Sequence, residues 1–420
     1  MIFGAVGAVV EWYDLMLYGY LAVVFARVFF PPDASPGVAL AATLGGFAIG
    51  FLMRPVGGFF FGWLGDAHGR KLALMTAISM MSIPMIATAL LPGYDAWGWA
   101  APAILIFLRM VQGFSSGGEY SGTLVLLAEN ARSGHRGRVA SIAAMFSGIG
   151  ILLASLAAAI LTNTLTDAQL DSWGWRIAYA FGALIIFVGI VMRTKMTETP
   201  RYAELAEAGG TSEQPIRDAV VKHWRAITVI ILLAGYTGIA YFIVLTYLVS
   251  YLETTVGLSH DTALVLGTVS AFLFAATAYL FGWLSDKVGR KPPMFWSAIA
   301  LAILAWPMFE LLGAQNLAIV YLANCVLLVP VFTFNGAFYV VVTELLPTRE
   351  RNAGLGIGYN VGTAVLGSTA PAIAQVLVNV TGNPTVPAFY LIAASILILP
   401  VIWFLPETAF KDLSDNKMAK

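Results

Sequence analysis

An eleven-residue charged segment occurs twice in this chain, 220 positions apart, each time between long apolar stretches. Phe61-Gly62-Trp63-Leu64-Gly65-Asp66-Ala67-His68-Gly69-Arg70-Lys71 returns as Phe281-Gly282-Trp283-Leu284-Ser285-Asp286-Lys287-Val288-Gly289-Arg290-Lys291, identical at eight of eleven positions. Only 11% of the chain is charged, against about 25% in soluble domains, so composition alone does not produce a match built on Asp, Arg and Lys. Two more landmarks repeat in register. Glu129 precedes Arg136 by seven residues as Glu344 precedes Arg351, and Thr197-Glu198-Thr199-Pro200 resembles Pro406-Glu407-Thr408-Ala409. The chain is a doubled unit with a charged loop in each copy. Doubled apolar bundles point to movement of a solute across a membrane.

With 59% of residues in the set AVILMFWYC, the surface of such a chain has to face lipid, where a spanning helix needs about 20 apolar residues. Twelve stretches qualify: about 2–29, 38–60, 72–91, 99–128, 139–162, 175–193, 226–252, 262–283, 293–313, 317–345, 353–380 and 387–405. Their apolar runs are continuous, which excludes the alternating pattern of a membrane barrel. All but Arg27, Arg54, Arg109 and Arg176 of the 23 Lys and Arg lie in the even-numbered connections or the C-terminal tail. The excess of cations in alternate loops predicts that both ends face the cytoplasm. The expected fold is an all-α membrane protein of twelve transmembrane helices in two six-helix bundles, 1–195 and 226–410. A cytoplasmic linker, 196–225, joins them, and a cytoplasmic tail follows at 411–420. Trp97, Trp99, Trp173 and Trp175 read as an interfacial belt.

Net charge is zero, which gives nucleic acid nothing to bind. The lone Cys325 forms no internal disulfide, and a cleavable leader is not expected. His68, His223 and His260 lack metal-ligand spacing, and neither a P-loop nor a nucleophile motif occurs. No cofactor or metal is therefore expected. An enzyme and an ATP-driven pump are set aside in favour of a carrier powered by an ion gradient.

Charges inside spans are more telling, because each costs about 2.5–3.5 kcal/mol at mid-membrane on insertion scales. Five occur, all in the first half: Glu11, Asp14, Arg54, Arg109 and Glu119. Glu11, Asp14 and Tyr18 share one helix face by their spacing, as do Arg109, Gln112, Ser116 and Glu119. Gly113, Gly117, Gly118 and Gly122 on the same span permit close helix approach. A permanently charged guanidinium suits a carboxylate, so Arg109 is expected to bind the substrate beside Gln112. Asp14 and Glu119, with Glu11, are the expected proton carriers, since burial favours the neutral form of an acid. Arg54 is expected to be an intramembrane counter-ion. The competing reading is that the five charges only neutralise one another.

The repeated segment resembles the signature of the major facilitator superfamily. Glu11-Trp12-Tyr13-Asp14, Arg54-Pro55-Val56-Gly57-Gly58, Arg109…Gln112-Gly113-Phe114-Ser115-Ser116-Gly117-Gly118-Glu119-Tyr120 and Trp173-Gly174-Trp175-Arg176 narrow the resemblance to the metabolite:proton symporters. One departure is Ala178, where that branch usually has Pro. The resemblance implies a monomeric, multi-pass carrier of the bacterial inner membrane, with small-molecule substrate and protons as its partners. It implies a cytoplasmic gate of Asp66, Arg70, Glu129 and Arg136 with Asp286, Arg290, Glu344 and Arg351. It also implies that spans 1, 4, 7 and 10 line the cavity, bringing in Tyr241, Asn335 and Tyr339 as hydrogen-bond partners. Other polar side chains on the second-half spans, Tyr236, Thr237, Thr246, Tyr247, Asn324, Thr333, Tyr359, Asn360 and Thr363, carry no assigned role.

Three substrate classes remain. The buried arginine favours proton symport of a small organic acid anion, such as a di- or tricarboxylate or an oxo acid. Proton symport of a zwitterionic osmolyte, of the proline or betaine type, is the alternative. Drug:proton antiport is disfavoured, because span 5 reads Ser147-Gly148-Ile149-Gly150-Ile151-Leu152 without the Gly-Pro such exporters carry.

Overall fold

The computed structural model describes residues 2–33, 36–212, 214–314 and 316–410; the tail read at 411–420 lies outside them. Among the described residues, eleven helices are long and apolar enough to cross a membrane, and a bent pair makes a twelfth span. Span 1 is Ile2–Tyr20, turned by 65° into Ala22–Phe29. The bend falls just after Gly19, where the helix is weakest. Arg27 clamps the outer piece to Asp171 at 2.7 and 2.8 Å, and Trp175 packs against Phe25 and Phe29 with centroids 5.4 Å apart. Trp175 is fully buried and so is not part of the interfacial belt, whereas Trp97, Trp99 and Trp173 are exposed.

The remaining first-half spans are Val38–His68, Arg70–Leu90, Ala100–Asn130, Arg136–Thr164 and Asp167–Thr194. The second half holds Trp224–Thr254, Thr262–Val288, Lys291–Leu312, Leu317–Glu344, Arg351–Thr381 and Val386–Phe404 as spans 7 to 12. Between the halves lie two short helices, Pro200–Glu207 and Pro215–Lys222. No strand occurs among the described residues.

The halves meet where span 2 packs on span 11 and span 5 on span 8. Both contacts are glycine to glycine. A Cβ on Gly58 would collide with the Gly356 carbonyl, and one on Gly137 with that of Gly282, each pair reciprocally. Missing side chains let the backbones touch, as small residues do at membrane helix crossings.

The repeated segment is not a loop. Span 2 runs unbroken to His68 and span 3 starts at Arg70, leaving a one-residue hinge at Gly69, φ 108°. Gly289 is its counterpart at φ 97°, and only glycine takes up such angles without steric cost. The sharp turn aims Asp66 across to the other half. Its carboxylate accepts the backbone N–H groups of Asn352 and Ala353, at 3.2 and 2.7 Å, in the first turn of span 11. Asp286 likewise takes the N–H groups of Gly137 and Arg138, at 2.7 and 3.0 Å, in the first turn of span 5. Helix N-termini carry partial positive charge, so each carboxylate is a favourable plug.

Around each plug the ion pairs cross between halves. Glu129 accepts from Arg70 at 3.2 and 3.4 Å and from Arg351, in the second half, at 2.9 Å. Glu344 accepts from Arg290 at 3.3 Å and from Arg136, in the first half, at 3.3 Å. The Glu and Arg seven residues apart in sequence are thus exchanged: each Arg serves the Glu of the opposite half. The third landmark also has a function. Glu198 caps span 3 through the N–H groups of Arg70 and Lys71 at 3.1 and 3.2 Å, and Glu407 caps Arg290 and Lys291 at 2.9 and 3.1 Å. Thr199 and Thr408 then donate to Glu129 and Glu344 at 2.7 and 2.6 Å.

This latch closes one side of the molecule. Asp66→Asn exchanges a charged acceptor for a neutral one; hydrogen bonds to charged groups contribute about 1.5–3 kcal/mol, so the closed-to-open ratio should fall by roughly 10-fold or more. With Cys325 replaced and a reporter cysteine at buried Ser285, maleimide labelling of purified protein should accelerate accordingly. Unchanged labelling would count against the latch.

Candidate functional site

Between the halves, above the latch, lies a small chamber of about 30 Å³. Eight of its thirteen lining residues are aromatic. Trp12, Phe51 and Tyr120 come from the first half; Tyr241, Phe242, Phe274, Tyr339 and Tyr359 come from the second. The rings pack across the seam: Trp12 on Tyr241 at 5.6 Å, Phe51 on Phe242 at 5.7 Å, and Tyr120 on Tyr359 at 5.4 Å. One charged group enters the wall, the guanidinium of Arg54. Trp12 Nε1, Thr237 Oγ1 and Arg54 Nε are buried in this lining without a partner. Spans 7 and 11 change to π-helical winding at Phe242–Tyr247 and Gly362–Gly367, where they flank the chamber. Such bulges are common at functional sites.

A second cavity, about 410 Å³, lies on the side away from the latch. It is lined by Tyr20, Phe47, Thr246, Glu253 and Thr268, among others, and shares Tyr241 with the chamber. Tyr241 is therefore the partition between the wide cavity and the small one.

The five charges predicted within the spans form three separate pairs, one of them completed by Arg193. Arg109 reaches both oxygens of Asp14 at 3.2 and 3.3 Å, its guanidinium 4.9 Å from the Tyr18 ring centroid. Arg109 and Asp14 line neither cavity. Glu119 is gripped on both oxygens by Arg193 of span 6, which also donates to the carbonyls of Leu74 at 2.8 Å and Gly4 at 2.6 Å. Arg54 bonds Glu11 through one carboxylate oxygen; the other, Oε2, is buried and unpartnered. Beside this third pair is a void of about 10 Å³ walled by Glu11, Arg54, Gln112 and Ser116. Gln112 donates to Ser116 at 3.1 Å. Tyr241 and Tyr339 line the chamber, whereas Asn335 donates to the Val331 carbonyl of its own helix at 2.8 Å.

The structure thus brings Arg54, not Arg109, to the chamber, together with Tyr241, Tyr339 and Tyr359. It places all eight gate residues in the latch. Sequence reasoning missed Arg193, counted among the topology-setting cations of the linker. Its signal was Glu119 itself, a mid-span acid that needs a cation from a neighbouring span. It also missed Trp12, Phe51, Tyr120, Phe242 and Phe274, because aromatic residues on apolar spans look like packing.

The sequence matches the Major Facilitator Superfamily over residues 6–365 and 266–420. It is 32% identical over 420 residues to the glycine betaine/proline/ectoine/pipecolic acid transporter OusA of Dickeya dadantii, covering 97% of this chain and 83% of that one. Identity to the proline/betaine transporter of Escherichia coli K12 is also 32%, with the same coverage. A putative proline/betaine transporter of Staphylococcus haemolyticus is 32% identical over 98% of this chain and 88% of its own. Among solved structures, the proton:xylose symporter XylE bound to 6-bromo-6-deoxy-D-glucose superposes with a TM-score of 0.84 at 17% identity, covering 99% and 97% of the two chains. The relatives overturn the expectation of an organic-acid anion carrier: their names are those of zwitterion transporters. The chain belongs to the Major Facilitator Superfamily and is a multi-pass transporter of the bacterial inner membrane, not an enzyme.

Proposed function

We propose that the protein takes up a zwitterionic osmolyte of the proline or betaine type, together with protons, by alternating access. The observation that carries this is the chamber: an aromatic box with a single guanidinium in its wall. A quaternary or secondary ammonium is held by ring faces, each contact contributing about 0.5–2 kcal/mol. Its carboxylate needs one cation, and Arg54 is the one available. A di- or tricarboxylate would bring two or three negative charges into a box with one cation that Glu11 already neutralises.

The sidedness follows from the cation bias in the sequence. The latch side is then cytoplasmic, and the wide cavity faces the outside. Substrate enters that cavity, displaces Tyr241 and reaches the box; the latch parts as the two six-helix bundles, 1–195 and 226–410, rock about the seam. Each bundle holds its own half of the site, so one chain suffices and the carrier works as a monomer in the bilayer.

In proteoliposomes with an inward proton gradient, radiolabelled glycine betaine or proline should accumulate, the medium should become more alkaline, and an uncoupler should abolish both. Succinate at equal concentration should leave uptake unchanged; its competing strongly would sink the zwitterion reading. Loss of one ring face at Tyr241→Leu should raise the KM for glycine betaine by up to roughly 30-fold, the equivalent of about 2 kcal/mol. Tyr241→Phe, which keeps the face, should stay within about threefold. Initial-rate uptake assays read both.

A further inference from the structure

Resting on that reading of the substrate, we infer that Glu11 is the proton carrier and that it competes with the substrate carboxylate for Arg54. Of the three acids buried at mid-membrane in the first half, only Glu11 is positioned to do this. Asp14 has both oxygens on Arg109, and Glu119 has both on Arg193 with Thr123 as a further donor at 3.3 Å. Glu11 uses one oxygen on Arg54, and its Oε2 is buried with no partner. Arg54, Arg109 and Arg193 each keep an unpartnered buried Nε, but of the three only Arg54 lies in the walls of both the chamber and the void beside Glu11. At about 10 Å³ that void is close to the room one water needs, with Gln112 and Ser116 as its polar partners.

The charged groups around Glu11 leave no other route. From span 2 it meets Arg54; on span 4, Glu119 is taken by Arg193 of span 6, and Arg109 is taken by Asp14. The charges of span 5, Arg136 and Arg138, belong to the latch. Every charge on spans 7, 8, 10 and 11 lies at a helix end, so the second half brings none to the chamber.

The exchange balances as follows. A zwitterion in the aromatic box places its carboxylate on Arg54, and the Glu11 carboxylate loses its only cation. A lone buried carboxylate is far costlier than a carboxylic acid, so Glu11 takes up one proton from water. No covalent bond other than that O–H forms. The loaded site then holds one net positive charge more than the resting site, so uptake carries one charge inward per substrate. On the other side, loss of the proton restores the carboxylate, which reclaims Arg54 and expels the substrate.

The test uses full-length protein in liposomes and in detergent. Wild type should transport glycine betaine against its gradient, with about one proton taken up from weakly buffered solution per betaine bound. Glu11→Gln should keep betaine counterflow between equal internal and external pools. It should lose accumulation driven by a proton gradient by at least tenfold, and it should take up no proton on binding. Counterflow reports that the variant is folded; if it fails to fold, the wild-type proton count decides alone. Uphill accumulation by Glu11→Gln, or wild-type binding without proton uptake, overturns the assignment of Glu11. Wild type that binds neither betaine nor proline overturns the substrate reading instead, a distinct result.

Discussion

A carboxylate buried between membrane helices has to find its positive charge somewhere in the same chain, and in this protein that requirement organises everything else. On the latch side, four acids are satisfied by the opposite half: Asp66 and Asp286 by helix N-termini, Glu129 and Glu344 by arginines as well as by their own neighbours. The halves are held together because neither is electrically complete alone. At mid-membrane the same requirement is met within the first half, by Asp14–Arg109, Glu119–Arg193 and Glu11–Arg54. In the first two pairs both carboxylate oxygens are held; in the third, Glu11 Oε2 is left without a partner, and its Arg54 lines the chamber.

The duplication explains why the latch is double. Each copy supplies a hinge glycine, a plug, a cap and an exchanged Glu–Arg pair, and the pseudo-symmetric glycine contacts at 58/356 and 137/282 bring the backbones close enough for the plugs to reach. The chamber is not doubled in this way. Both halves contribute rings, but only the first contributes charge, so the second half shapes the chamber without adding a charged group to its wall.

Much of this was legible in the sequence. Span number and the two bundles followed from apolar run length and the repeat, whereas the residues of the ion-pair network were expected from the family resemblance. That the repeated segment is a break of one residue in the first copy and two in the second was not legible, since a charged Gly-containing stretch reads as a loop until the flanking helices are seen to run up to it. The sequence favours Arg109 as the substrate's cation and Arg54 as a counter-ion; only packing shows that Arg109 faces Asp14 and Tyr18 while Arg54 faces the rings. Arg193 lay near a span end, where positive charge is expected on topological grounds, and so its burial against Glu119 went unseen. The aromatic box had no signature, because Tyr and Phe on an apolar helix carry no mark of which neighbour they will meet. That blind spot is also why an anion was first expected: the arginines were visible and the box was not.

A space of about 30 Å³ walled by rings cannot sustain a continuous thread of water from one face of the membrane to the other, and apolar constrictions of this kind dewet. In this conformation the seam between the halves is thus sealed by side chains, Trp12, Phe51 and Tyr120 against Tyr241, Phe242 and Tyr359.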